Sequence, residues 1–226
     1  MYYVIRPTKD DLYHHGILGQ KWGRRNGPPY PLNSDTLSKK IYEDAKRREP
    51  KITNDVRKSV RKSGADMYGL ENRLKTKNSI KRKIETDAKE KGISISKAGQ
   101  SIKDAVRYTA ITSDDNFVKA YNSIKENLIN NGYKESRCKN YFDEYRKGNV
   151  KHKSVQSIFK TNDGYSFEIQ FHTPSSQDAK NKKIPIYEER RKPGLSVKRQ
   201  KELEQQMTKL AENVSIPKDI YTIKTH

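Results

Sequence analysis

The sequence predicts an α+β fold: a β-sheet flanked by helices, with an irregular arm before it and a helix after it. Three observations carry that prediction. Strand-like runs at residues 105–112, 154–160 and 165–171 include a pair separated by Thr161-Asn162-Asp163-Gly164, which signals a hairpin. Phe117, Tyr121, Ile124 and Leu128 recur at intervals of four, three and four residues, the stripe of a helix packed on one side. The opening stretch to about residue 33 holds Pro7, Gly16, Gly19, Gly23, Gly27, Pro28, Pro29 and Pro31, breakers too frequent for a long helix or strand.

In chain order, the arm over residues 1–33 carries Tyr13-His14-His15-Gly16-Ile17-Leu18-Gly19-Gln20-Lys21-Trp22-Gly23, which includes the only tryptophan and suggests a docking peptide. Ser34 or Asp35 is predicted to cap a helix that carries Leu37, Ile41 and Ala45 and stops at Pro50. A second helix is expected after Thr53, with Val56, Val60, Met67 and Leu70 as its apolar stripe. Over residues 69–84, Lys75, Ser79 and Lys83 recur every four residues, so a helix there would carry them on one face, with Leu74, Ile80 and Ile84 turned inward. The helix of Phe117 is expected to be capped at Ser113 and stopped by Asn131-Gly132. A weaker helix over 197–214 closes the chain before Pro217 and has either the domain or a partner to pack on.

Composition bounds the partners. Lys and Arg number 48 against 28 Asp and Glu, for a formal charge of +20, which favours polyanions such as nucleic acid or nucleotide phosphates. Hydrophobic residues are 31% of the chain against 34% charged, so burial must concentrate in the middle of the sequence. Cys138 is the single cysteine; it forms no intrachain disulfide and is expected to be inert, and no Cys/His spacing resembles a zinc site. No segment approaches the roughly 20 apolar residues of a membrane span, and a cytoplasmic protein without a membrane partner is expected.

The candidate chemistry lies in four segments. The Lys75, Ser79 and Lys83 rail suits phosphates, although a solvated charged face would look the same. Asp104 and Arg107 flank the start of the first strand. Arg137-Cys138-Lys139-Asn140-Tyr141-Phe142 combines basic and aromatic residues. In Phe167-Glu168-Ile169-Gln170-Phe171-His172-Thr173, the two-residue period sends Glu168, Gln170 and His172 to one sheet face and the aromatic and aliphatic residues to the core.

In this order along the chain, these segments resemble the RelA/SpoT synthetase family, whose ATP-binding signature matches Arg73-x-Lys75-x-x-x-Ser79-x-x-x-Lys83 and whose E-I-Q-x-x-T strand matches Glu168 to Thr173. The resemblance covers residues 53–191 and implies a mixed, nucleotidyltransferase-like sheet and Mg-dependent transfer of the β,γ-diphosphate of ATP to a nucleotide hydroxyl. It implies that Arg73, Lys75, Ser79, Lys83 and Arg107 hold ATP phosphates and that Asp104 binds magnesium. Glu168 is expected to share the metal or take the acceptor proton. Lys139, Tyr141, Tyr145, Lys147, Gln170 and His172 are placed at the acceptor. The implied organisation is an arm (1–33), a helix (34–52), the synthetase domain (53–191) and a C-terminal helix and tail (192–226).

Two departures qualify the likeness. The family's acceptor loop, N-G-Y-x-S-L-H, has a tyrosine after its glycine; here Lys147-Gly148-Asn149-Val150 has none, and Tyr141 or Tyr145 is left to stack on a base. Toxin-like members read H-x-L-Y-E-E-x-R, whereas Ile184 stands here in place of that histidine. The arm resembles a motif of tailed-phage structural proteins. The combined expectation is a phage- or prophage-borne, toxin-like pyrophosphokinase acting on a purine nucleotide or on the tRNA 3′ end, with an antitoxin or immunity protein as a conceivable partner. A non-enzymatic basic phage head protein accounts for the charge and the arm but not for Asp104 and Glu168. An ADP-ribosyltransferase-like toxin leaves the lysine rail unexplained.

Overall fold

The computed structural model describes residues 33–148, 152–192 and 194–226. The arm with its His14, His15 and Trp22, together with residues 149–151 of the acceptor loop, lies outside the described residues. The chain divides into two compact units, one running through Lys40 and resuming over Lys77–Ile102, the other formed by Ile41–Thr76 and Lys103–His226.

The first unit contains the start of helix α1 (Ser34–Lys62) together with α2 (Lys77–Lys91) and α3 (Ile95–Gln100). Ile80 and Ile84 are its buried residues on α2. Lys81 Nζ pairs with Asp35 at 2.8 Å, and Ser34 Oγ donates to Glu85 at 2.6 Å. Gly99 permits close approach between α3 and α1, since a Cβ there would stand 2.3 Å from Leu37 Cδ2.

The second unit is built on a five-stranded sheet in the order β1-β2-β5-β4-β3, from β1 (Asp66–Tyr68), β2 (Arg107–Ile111), β3 (Lys134–Asn140), β4 (Val155–Lys160) and β5 (Ser166–His172). Strands β2 and β5 are parallel and the other neighbours antiparallel, so the sheet is mixed and the α+β prediction holds. Its core face carries Tyr108, Phe159, Phe167, Ile169 and Phe171, all buried. Edge-to-face ring pairs knit this core, with Tyr121 of α4 (Phe117–Asn130) 5.1 Å from Phe171 and Tyr133 5.3 Å from Phe167. On α1, the Thr53 hydroxyl lies 2.7 Å from that of Tyr108. The opposite sheet face meets α6 (Pro174–Arg190), and α7 (Val197–Glu212) packs on α6 with Leu203, Met207 and Ala211 buried.

Four local expectations are corrected. Helix α1 runs through Pro50 instead of stopping there, and the proposed boundary at residues 52 and 53 falls inside it. An interior proline costs about 3 kcal/mol, but Pro50 sits on the exposed side while Ala45, Ile52, Val56 and Val60 form one buried stripe across it, so packing outweighs the lost hydrogen bond. The cap is Asn33, whose Oδ1 accepts from Thr36 N–H at 2.8 Å, not Ser34 or Asp35. Residues 69–84 are not one helix, because Gly69 takes a left-handed φ of 61° into a short 3-10 turn and α2 starts only at Lys77. The helix of Phe117 begins after Asn116, not at Ser113. Strands β1 and β3 and helix α6 were not foreseen: β1 is three residues long, and neither β3 nor α6 carries a clear apolar pattern.

The outer edge of β3 is covered by the C-terminal tail. Cys138 and His226 exchange a pair of backbone hydrogen bonds, each 3.0 Å. Asn140, fully buried, donates from Nδ2 to the carbonyls of Ile220 and Ile223 at 2.8 and 3.0 Å. Its Oδ1 accepts from Phe142 N–H at 3.1 Å, capping the short helix α5 (Tyr141–Arg146). Cys138 is buried, and burial raises its thiol pKa, in keeping with an inert cysteine.

Candidate active site

Parallel pairing at the centre of the sheet assembles the site. Arg107 of β2 lies in register with Glu168 of β5, and Thr109 with Gln170. On β4, Gln156 pairs with Gln170 and Ile158 with Glu168, and Lys139 of β3 pairs with Gln156. Directly paired residues point to the same side, so Arg107, Glu168, Gln170, Gln156 and Lys139 share the face opposite the aromatic core. Glu168 is therefore central and only 7% exposed, not a solvent-facing residue of an edge strand.

The segment before α2 delivers the next charges. Lys75 N–H donates to Ala105 O at 2.9 Å and Arg107 N–H to Arg73 O at 2.8 Å, with a bridge between Leu74 and Val106. This zippering sets Lys75 beside Asp104, and the two side chains form an ion pair at 11% and 13% exposure. Burial pushes the Glu168 pKa up, a hydrogen bond from Gln170 opposes that, repulsion from Asp104 adds to it, and Lys75 and Arg107 work against it. Glu168, Asp104, Lys75 and Arg107 thus form one electrostatic cluster.

Gln170 links this cluster to a cavity under α6. Its amide donates to Glu168, while its Oε1 accepts from Lys180 Nζ at 2.5 Å. The cavity, about 220 Å³, is lined by residues including His152, Ser154, His172, Lys180 and Lys183. His172 Nδ1 lies 2.8 Å from Ser176 Oγ, and burial drives the His172 pKa far below its ordinary value. The His152 pKa is lowered to about 4, by burial first and then by Lys183 and Lys180. Both imidazoles are therefore neutral near pH 7.

Arg73 turns to Glu49 of α1 in an ion pair and donates to Leu70 O at 2.9 Å. Ser79 and Lys83 stand one turn apart on α2, a helix that begins after Lys75. Tyr141 couples electrostatically to Glu168 and packs its ring 4.2 Å from that of His152, with Lys139 Nζ 5.9 Å from its centroid. Tyr145 is covered by Lys153 Nζ at 4.4 Å, and Lys147 pairs with Asp143 at 2.6 Å on the surface. Sequence reading missed Lys180 and Lys183, whose signal was the polar series Ser176, Lys180, Lys183 and Tyr187 at helical spacing after a Thr-Pro helix start.

A divalent cation of the hard, oxygen-preferring type is implied by the family resemblance. Among the described residues no group of three or more His, Cys, Asp or Glu side chains is arranged to hold a metal. The fit instead rests on two carboxylates, Asp104 and Glu168; burial is the main cause that raises the Glu168 pKa, and repulsion from Asp104 adds to it. Magnesium is commonly held by one or two carboxylates, with substrate phosphates and water completing the shell. The donor set fits such an ion.

The chain is similar in structure to small alarmone synthetases. It resembles a GTP pyrophosphokinase family protein from Streptococcus pneumoniae with a TM-score of 0.49 and 14% identity, over 76% of this chain and 85% of the other. For the small alarmone synthetase 1 of Bacillus subtilis the TM-score is 0.46 and the identity 14%, over 78% and 87% of the two chains. The type VI effector Tas1, solved in complex with its immunity protein, gives a TM-score of 0.46 and 18% identity over 77% and 95%. No protein-family model and no curated protein matches the sequence. Among the described residues no helix is long and apolar enough to cross a membrane.

Proposed function

We propose that the protein is an ATP-dependent pyrophosphokinase, transferring the β,γ-diphosphate of ATP to a hydroxyl of a purine nucleotide or of the tRNA 3′ end and releasing AMP. The observation that carries this reading is the electrostatic cluster of Glu168 and Arg107, in register on one sheet face, with the Lys75–Asp104 ion pair, and the order of the sequence motifs is its second support.

Attack on the β-phosphorus forms a bond from the acceptor oxygen, breaks the bond between that phosphorus and the oxygen bridging it to the α-phosphate, and sends that oxygen away with AMP. Such transfers are catalysed mainly by positioning and by charge placed in advance. Lys75 and Arg107 supply cations at the transferring group. Asp104 and Glu168 would hold magnesium, which supplies charge neutralisation on the phosphates when bound. Glu168, central on the sheet and in register with Arg107, either shares that metal or, left free of it, receives the acceptor hydroxyl proton. Tyr141, beside Glu168 and His152, is the aromatic group in reach of an acceptor base, whereas Tyr145 is occupied by Lys153.

The deciding measurement offers the purified protein labelled ATP, magnesium and, separately, purine nucleotides or deacylated tRNA. Formation of AMP in step with a pyrophosphorylated acceptor is expected. ADP as the sole product, or no turnover with any acceptor, overturns the proposal.

A further inference from the structure

Lys180 and Gln170 form a polar relay to Glu168 that the pyrophosphokinase reading leaves unused. Helix α6 follows β5 with Thr173 alone between them. Thr173 Oγ1 accepts from Ser176 N–H at 3.1 Å, and Ser176 Oγ accepts from Thr173 N–H at 3.0 Å, a reciprocal cap whose two residues are 0% and 3% exposed. The junction is thus held rigidly. About two helical turns later, Lys180 returns over the strand it followed, and its Nζ donates to Gln170 Oε1 at 2.5 Å.

A side-chain amide has a donor end and an acceptor end and can present either one. The lysine ammonium only donates, so the end of Gln170 that faces it has to be the carbonyl oxygen. That choice turns Nε2 toward Glu168, to which it donates. An ionised carboxylate only accepts, so donors and acceptors run in a single direction from Lys180 through Gln170 to Glu168. With the amide reversed, two acceptor oxygens would meet, and Glu168 would have to swing away or take a proton. Glu168 is 7% exposed, so water is badly placed to replace the lost hydrogen bond. Burial first, and then Arg107, lowers the Lys180 pKa to about 8, with Glu168 opposing, so the ammonium keeps its proton at neutral pH.

We propose that Lys180 is a positioning residue, which fixes the amide of Gln170 and through it holds the Glu168 carboxylate in the orientation that the transfer step uses. Gln170 is then a support of Glu168 and not a group that binds the acceptor. The proposal rests on the pyrophosphokinase reading for the role of Glu168, and deepens it by naming what orients that side chain. A group that only orients a catalytic side chain acts on the chemical step, so its loss lowers kcat and leaves the KM for ATP in place.

The test is a double-mutant cycle on the full-length protein with Lys180→Met, Gln170→Leu and the two combined, each first shown to keep the wild-type melting profile. AMP formation is one readout. The other is nuclear magnetic resonance of the Gln170 side-chain amide, whose signals are assigned by their disappearance in Gln170→Leu. Expected in wild type is a Gln170 amide proton displaced downfield and slow to exchange, and in Lys180→Met the loss of both properties. Each single variant should lower kcat by about tenfold or more, the worth of a hydrogen bond to a charged group, with KM for ATP unchanged. The combined variant should fall no further than the weaker single one, because both act through one relay. Losses that multiply in the combined variant, or a raised KM with kcat kept in Lys180→Met, mean that Lys180 meets the substrate itself and overturn the proposal. An amide signal that ignores Lys180→Met overturns it without any turnover measurement. Should Lys180→Met fail to fold, Gln170→Leu breaks the same relay, and an unchanged kcat there is equally fatal. An amide that responds as expected in a protein making no AMP from any acceptor supports the relay and sinks the reading of the reaction.

Discussion

Replacing Asn140 with alanine tests whether the C-terminal tail and the aromatic flank of the site are one structure. The Asn140 side chain is fully buried and makes three good hydrogen bonds, to the carbonyls of Ile220 and Ile223 and from the N–H of Phe142. At about 0.5–1.5 kcal/mol each, with more where a buried group is left unsatisfied, alanine should cost about 3–4 kcal/mol. That is a large share of the 5–15 kcal/mol typical of a domain. Urea denaturation read by far-UV circular dichroism measures the total, and hydrogen exchange at the backbone amides of Cys138 and His226 reports release of the tail. Because the same side chain caps α5 at Tyr141, acceptor affinity should weaken as well. A loss below about 1 kcal/mol, or unchanged protection at both amides, would refute the reasoning.

Other predictions concern the site and α1. Glu168→Gln and Asp104→Asn should each lower AMP formation by about 10²–10⁴-fold while the protein stays folded, and full activity in either removes the site assignment. Burial, with Lys153 next, lowers the Lys183 pKa from 10.5 to about 8. The unfolded chain therefore binds more protons between those values, and this group makes stability rise with pH across that window. The neighbours Lys153, Lys180, His152 and His172 face the same cavity, so the contribution of Lys183 is isolated by comparing urea midpoints of wild type and Lys183→Gln from pH 7 to 10, where the variant should rise less. Pro50→Ala should stabilise the protein by about 1–3 kcal/mol, since alanine restores a helical hydrogen bond at an exposed position; a lower urea midpoint counts against the account of α1.

How far the sequence could be read depended on whether an element carries its own pattern. The stripe of α4, from Phe117 to Leu128, states in local spacing which side is buried, and the structure agrees at each of those residues; on β5 it buries Phe167, Ile169 and Phe171 as the alternation predicts, but covers Glu168 and His172 on the other face as well. Strand β3 is polar along most of its length, with its edge covered by the last residues of the chain, and no local signal announces a strand stabilised from nearly 90 residues away. Pro50 and Gly69 mislead in opposite senses. Proline is a strong local breaker that long-range packing overrides, whereas Gly69 ends a helical spacing that Lys75, Ser79 and Lys83 appear to continue.

By itself the sequence determined the sheet-and-helix composition, the cationic character and the acidic face of β5, because spacing and charge are properties of short stretches of chain. Only the tertiary structure decided which charges meet. The parallel pairing of β2 with β5 brings Arg107 to Glu168 across some 60 residues of chain, the zipper at Leu74 and Val106 sets Lys75 on Asp104, and the pull of Glu49 draws Arg73 elsewhere. Those choices depend on strand register and on the competition of one buried carboxylate against another, and neither is written in the spacing of residues along the chain.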